Sequence, residues 1–399
     1  MDAARSLGDV ATAAPGPDAV ARAEAVAGVV AAHAARIDAE CALPKAVLDA
    51  LHGAGLFRTL LPRSLDGEEV PPALYVRMIE RIAREDASTA WCLGQGSGCS
   101  MAAAYLAPDI ARAVWGDKRA VLAWGVGPGS VARPVSGGWR VTGQWRFASG
   151  SRHSTWLGGH CSIEDADGTL RRNADGTLAE RTMLFPRAAA AITDTWQVIG
   201  LRGTGSDSYA VSGLFVPEEY SLCRDTEEER RQPGPLYRFS TTHLYAAGFG
   251  AVGLGVARGM LDAFRALAAE KTPSVSSRPL RLSPVVQKQV ALAEAKLRAA
   301  HALLQEALQD AWQGAVAGGL TLDQRMSIRL AATHATHQAR EVVELCWQEA
   351  GATAIFDANP FERRLRDMHS ITQQVQARGS HYETVGQHLL GMPASLRFV

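Results

Sequence analysis

Apolar residues recur every three or four positions through AVARAEAVAGVVAAHAARIDAE (19–40) and LYVRMIERIAREDASTAWCL (74–93). That period gathers them on one face of a helix. Between the two runs, LPRSLDGEEVPP (61–72) supplies the Pro, Asp and Gly that punctuate a loop. From Lys118 the period shortens to two. WRVTGQWRF (139–147) sets Trp139, Val141, Gly143, Trp145 and Phe147 on one face of a strand. Ser136-Gly137-Gly138, Asp167-Gly168 and Asp175-Gly176 are turn signals around it. After Pro235 the helical period returns in SPVVQKQVALAEAKLRAAHALLQEALQDAW (283–312) and TLDQRMSIRLAATHATHQAREVVELCWQEAG (321–351), and Asn359-Pro360 precedes a further helix. The pattern predicts a flexible tail (1–18), an N-terminal helical domain (19–117), a middle antiparallel β-domain (118–234) and a C-terminal helical bundle (235–399), mainly α with a central β-domain.

Composition narrows the function. Forty-one basic residues balance 41 acidic ones at a pI near 7.2, which argues against a nucleic-acid binder or a polybasic membrane-surface protein. Six cysteines without a C-x-x-C pair predict free thiols and a reducing, cytoplasmic setting rather than a disulfide or zinc scaffold. The first residues lack a signal-peptide core, and the uncharged apolar run Leu244–Ala257 is shorter than the roughly 18–20 residues of a membrane span.

Few local motifs carry chemistry. Gly248-Phe249-Gly250-Ala251-Val252-Gly253 has the glycine spacing of a dinucleotide loop, but it lacks the preceding strand, and close helix packing explains its small residues better. His334, His337 and Glu341 share a helix face without a fourth metal ligand, so a polar face is expected and no metal site. Cys92 and Cys99, seven apart, read as core residues. No G-x-S-x-G elbow, Walker loop or H-E-x-x-H is present. Phe147 and Ser149, two apart on a strand, either present a ring and a hydroxyl to a planar ligand or are a core residue and a strand end.

Several segments together resemble the acyl-CoA dehydrogenase superfamily: TGQWRFASG (142–150), GLRGTGSD (200–207) continuing to LFVPE (214–218), QEAGA (348–352) and RRLRDMH (363–369). The resemblance runs from about residue 20 to the end and implies that family's order of helical domain, β-domain and four-helix bundle. Its dehydrogenases carry a carboxylate base at the position of Val375 or, in another branch, at that of Tyr245. Neither residue can serve as a base near neutral pH, which argues against ordinary acyl-CoA dehydrogenation.

DASTAWC (86–92), WRFASGSRHSTW (145–156) and RDMHSITQ (366–373) are similar to the flavin-dependent monooxygenases of this fold, which include aromatic hydroxylases, dibenzothiophene and indole-acetate oxygenases and amino-sugar N-oxygenases. That likeness implies reduced flavin (FMN or FAD) delivered by a separate NAD(P)H-dependent flavin reductase, O2 as co-substrate through a C4a-hydroperoxide, and a small aromatic or nitrogen-bearing substrate. It implies Trp124, Phe147, Ser149, Arg278, Gln348 and Gly351 as cofactor contacts, Ser149 near flavin N5 or O4 and Arg278 on phosphate. It implies Trp91 and Tyr245 as substrate contacts, and a homotetramer. Relatives carry histidine where this chain has Gln374, so proton transfer falls to Gln374, His369 or His243. The competing functions are a flavin dehydrogenase or desaturase with an unusual base and a non-catalytic flavin-fold protein.

Overall fold

The computed structural model describes residues 18–274 and 277–399; the expected tail, apart from Asp18, lies outside them. Among the described residues five helices come first: α1 (Ala19–Glu40), α2 (Lys45–Gly53), α3 (Pro72–Ala83), α4 (Ala87–Ser100) and α5 (Pro108–Trp115). Asp18 caps α1 through Ala21 N–H, and Asp86 caps α4 through Thr89 N–H, each satisfying a first-turn donor that has no partner inside its helix.

Eight strands follow: β1 (Leu122–Trp124), β2 (Val131–Val135), β3 (Gly138–Ala148), β4 (Trp156–Ile163), β5 (Glu180–Pro186), β6 (Ala191–Thr193), β7 (Asp207–Pro217) and β8 (Ser221–Leu222). They form one sheet in the order β6-β7-β3-β2-β4-β5-β8, with β1 beside β4. The sheet is mixed rather than antiparallel throughout, because β1 and β2 both run parallel to β4. Trp139, Val141 and Trp145 lie buried together in the sheet's own core, as the alternation predicts. Phe147 leaves that face. Its φ of +60° puts it in the left-handed region, at a register shift between Trp145 and Ala148. The bulge rotates its ring outward and ends the period of two.

The chain closes with α6 (Thr241–Glu270), α7 (Pro284–Ala317), α8 (Leu322–Ala350), α9 (Phe361–Ile371) and α10 (Ser380–Leu389). Three of these are long, and the 11-residue α9 packs against α6 and α8 as the short fourth member of the bundle. By length and composition α6 would cross a membrane, but 89% of its most apolar window is buried here, so it is the core helix of the bundle. Its glycines explain how neighbours approach so closely: a Cβ at Gly255 would lie 2.3 Å from the Glu80 carbonyl oxygen and one at Gly259 2.4 Å from that of Arg84. The Gly248–Gly253 pattern therefore sits inside a helix and serves packing. On the same helix face His337 bonds the Ala377 carbonyl at 3.0 Å and Glu341 pairs with Lys296.

Candidate functional site between the sheet and helices α4 and α6

Helix α4 carries glycine at 94, 96 and 98, every one buried. Each leaves room for an aromatic ring. A Cβ at Gly94 would touch the Tyr75 hydroxyl at 3.5 Å, one at Gly96 the Phe57 ring at 3.1 Å, and one at Gly98 would fall 2.4 Å from the Tyr245 ring. Tyr245 thereby lies against α4 and stacks on Phe249 with centroids 5.5 Å apart, while Phe249 stacks on Trp91 at 3.8 Å and 11°. Three parallel aromatic rings, stacked face on face, line the seam between α4 and α6 as an apolar wall. Gln95 ties that wall to the sheet: its Nε2 approaches Tyr245 Oη at 3.3 Å and the Trp124 carbonyl at 3.4 Å.

At the other end of the wall, Trp91 Nε1 donates to Ser149 Oγ at 3.0 Å. Ser149 is the first of three hydroxyls in a row, 2.7 Å from Ser206, which is 2.7 Å from Thr204. Thr204 donates to the Leu201 carbonyl at 2.8 Å. Each hydroxyl owns one proton, which fixes the direction of the whole row. The proton of Thr204 is spent on Leu201, so Ser206 donates to Thr204 and Ser149 donates to Ser206. Ser149 keeps one unused lone pair, and toward any ligand it is an acceptor.

The row is anchored by the Arg-Asp pair of α9. Leu201 N–H donates to Asp367 Oδ1 at 2.6 Å, and Arg366 Nη1 donates to the Ile199 carbonyl at 2.6 Å while its guanidinium pairs with Asp38 at 3.0 Å and with Glu362 at 2.6 Å. Gly200 sits in this clamp, where a Cβ would meet the Arg366 carbonyl oxygen at 2.2 Å. Asp367 is buried, and desolvation together with the nearby Asp86 raises its carboxyl pKa to about 7.

The candidate residues separate into two groups. Ser149, Trp91, Tyr245 and Trp124 come together. Phe147, 62% exposed, lies beside them on the open side, edge-on to Trp196 at 6.1 Å and near Val126, itself 59% exposed and bridged to Arg146. The three proton-transfer candidates make no hydrogen bond or ring contact with this cluster. His243 belongs to the capping box of α6: its backbone N–H donates to Ser240 Oγ and its Nδ1 accepts from Ser240 N–H. Burial and the charges of Arg329 and Arg325 push its pKa down to about 3, and it lies two residues, about 200°, around the helix from Tyr245. His369 stands 3.7 Å from Glu344 on α8. Gln374 turns its amide oxygen back onto Gln376 N–H, capping the turn Val375–Ala377. Gln348 and Gly351 are exposed at the end of α8, where Gly351 has φ +59°, and Arg278 is exposed in the α6–α7 connection.

Tyr245 does not supply the missing base: burial, with Cys99 beside it, raises its phenol well above the ordinary range. The cluster is hydroxyl, indole, amide, thiol and phenol, all uncharged at neutral pH. Ser206, Thr204, Gln95 and Phe249 were not singled out by the sequence. The traces were Thr204 and Ser206 within GLRGTGSD, Phe249 within the Gly248–Gly253 pattern and the triple glycine of α4, all intelligible only once the partner elements are in place.

Residues 20–111 match the acyl-CoA dehydrogenase N-terminal domain and residues 247–378 the acyl-CoA dehydrogenase C-terminal domain. Among relatives, an indole-3-acetate monooxygenase of Pseudomonas putida is 31% identical over 346 residues, covering 86% of each chain. The oxygenase component of an FADH(2)-dependent resorcinol hydroxylase of Rhizobium sp. is 25% identical over 391 residues, 94% of each chain. Among solved structures, XiaF from Streptomyces sp. in complex with FADH2 and glycerol superposes with a TM-score of 0.87, covering 95% of this chain and 96% of that one at 22% identity, a likeness of fold.

Proposed function

We propose, from the premise that the chain belongs to the acyl-CoA dehydrogenase family and to its flavin-dependent monooxygenase branch, that it is the oxygenase component of a two-component system and hydroxylates a small aromatic substrate. It is an oxidoreductase that works with reduced flavin and O2. The observation that carries the placement of the cofactor is the hydroxyl row. Its free end at Ser149 accepts a hydrogen bond, and the N5 of a reduced flavin carries a hydrogen while that of an oxidised flavin does not.

The residues around Ser149 fit a flavin ring. Phe147, Val126 and Trp196 leave an apolar surface beside a hydroxyl acceptor, the lining a flat heteroaromatic with one N–H requires. Bound there, reduced flavin supplies the two electrons that let O2 deliver one oxygen atom to the substrate and the other to water. Ser149 holds the N5 hydrogen in place. The Trp91–Phe249–Tyr245 stack would offer apolar contact to an aromatic substrate and keep water from the bound cofactor. A phenol or indole ring is electron-rich enough to attack without a protein base, in keeping with a cluster that holds none.

Gln348, Gly351 and Arg278 lie outward on the helical bundle, so in a homotetramer they face a neighbouring protomer's cofactor, with Arg278 suited to its phosphate. A separate reductase provides the reduced flavin. The test mixes the protein and anaerobically reduced FMN or FAD with oxygenated buffer. Slow reoxidation through a long-lived spectral species, with hydroxylated product on adding an aromatic substrate, is the expected result. Reoxidation at the rate of free flavin sinks the proposal.

A further inference from the structure

Among the described residues, one cation beside the aromatic wall has no anion. Arg224 follows β8 in the segment leading to α6, and its guanidinium carbon stands 5.1 Å over the Trp124 ring. Its Nε donates to Thr182 Oγ1 at 3.2 Å. Among the described residues no carboxylate oxygen lies within 4.0 Å of it. It lines a cavity of about 470 Å³ with Trp139, His160, Thr182 and Leu222. Two other arginines on that cavity are satisfied: Arg171 by Asp165 at 2.5 Å and Arg181 by Glu229 at 2.7 Å. The carboxylate next in sequence, Asp225, is committed to Thr241 N–H at 2.9 Å and its hydroxyl at 3.1 Å.

A second polar group adjoins it. Thr182 Oγ1 accepts from Arg224 and meets His160 Nδ1 at 2.8 Å. In the tautomer that takes the Thr182 proton at Nδ1, the neutral imidazole carries its hydrogen on Nε2. His160 is held neutral by burial and by Arg224 itself, and it sits edge-on to Trp124 at 5.0 Å. Trp124 is also the residue whose carbonyl Gln95 links to Tyr245. The unpaired guanidinium edge and the imidazole thus flank the indole that borders the substrate wall.

We infer that Arg224 receives the anionic group of the substrate, which makes the substrate an aromatic carboxylic acid with its ring on the Trp91–Phe249–Tyr245 stack. This rests on the monooxygenase function proposed above. A single unpaired guanidinium, with Asp225, Glu180 and Glu218 on the same cavity, suits a planar monoanion held by two parallel N–H groups. A phosphate dianion would want more positive charge.

The experiment titrates the full-length protein, with reduced flavin under anaerobic conditions, against benzoate, phenylacetate and 1-naphthylacetate and against the uncharged amide of each. In the wild type the best-bound acid binds about 10- to 100-fold tighter than its amide, the range expected of hydrogen bonds to a charged group. Arg224→Gln abolishes that preference and leaves amide binding within about twofold, which also shows the site intact; Arg224→Lys restores part of it. Equal binding of acid and amide by the wild type, an acid preference that survives Arg224→Gln, or no binding of any pair overturns the inference. The flavin reoxidation assay is separate. An acid preference without any effect on flavin reoxidation would fault the oxygenase function and leave the carboxylate site standing.

Discussion

The indole of Trp91 donates to the hydroxyl of Ser149 at 3.0 Å across 58 positions of sequence, joining helix α4 to the end of strand β3. Trp91 cannot accept and the Leu201 carbonyl cannot donate, so the three hydroxyls between them have one fully bonded arrangement. Offering a proton to a ligand instead would reverse the row and take the Thr204 bond from Leu201.

Breaking the row should therefore change which flavin state binds better. With Ser206→Ala, the Ser149 proton is free to reach an acceptor such as the N5 of oxidised flavin. The ratio of oxidised to reduced Kd, which favours reduced flavin in the wild type, should fall by about 5- to 10-fold, the worth of roughly 1 kcal/mol of hydrogen bonding. Equilibrium titrations with both flavin states would check it; an unchanged ratio would remove the hydroxyl row from cofactor selection.

Gly98→Ala places a methyl group 2.4 Å from the Tyr245 ring. Tyr245 must shift, disturbing its stack on Phe249. Overpacking of this kind costs about 1–3 kcal/mol, and a denaturant melt should show it. The same substitution at Gly129, where nothing lies within 4 Å, is a control for crowding, although its φ of +77° adds backbone strain of its own.

Phe147→Gly should move stability and binding in opposite directions. A non-glycine residue at φ +60° is strained, and glycine there relieves about 1 kcal/mol. The ring it removes is the exposed one beside Ser149. A slightly higher melting temperature with flavin binding weakened about tenfold or more is expected; unchanged flavin affinity would show that Phe147 does not cover the cofactor.

Asp367 gives a pH signature. Its pKa rises from 3.8 in the unfolded chain to about 7 in the folded one, so between those values the native state holds the extra proton. Stability from this group is present at low pH and is lost as pH rises through 7. Asp367→Asn keeps an acceptor for Leu201 N–H and carries no charge. Relative to the wild type, the variant should gain on the order of 2–3 kcal/mol between pH 5 and pH 8. A difference that does not vary with pH would show that the carboxylate ionises freely.

Much of the architecture was legible in the chain itself. The change from a period of about 3.6 to a period of two and back again placed the sheet between two helical regions, because each element must bury a continuous face. Segments such as TGQWRFASG and RRLRDMH carried the family likeness, since their side chains and backbone are constrained locally as well as globally. Trp91, Tyr245, Trp124 and Ser149 were all identifiable in this way, and the structure gathers them.

The rest depended on distance between elements that sequence spacing does not encode. Alternation placed Phe147 with Trp145, yet one left-handed residue turned it outward. His243 and His369 have the right chemistry for a base, but one is spent on a helix cap and the other stands beside Glu344. Ser206 became meaningful only when strand β7 and the Leu201 loop closed a hydrogen-bonded row, and Arg224 only when no carboxylate among the described residues proved to pair with it. Periodicity is a property of one segment and survives in one dimension. The direction of a hydrogen bond, or an unpaired charge, is a property of everything that surrounds a group, and folding alone decides it.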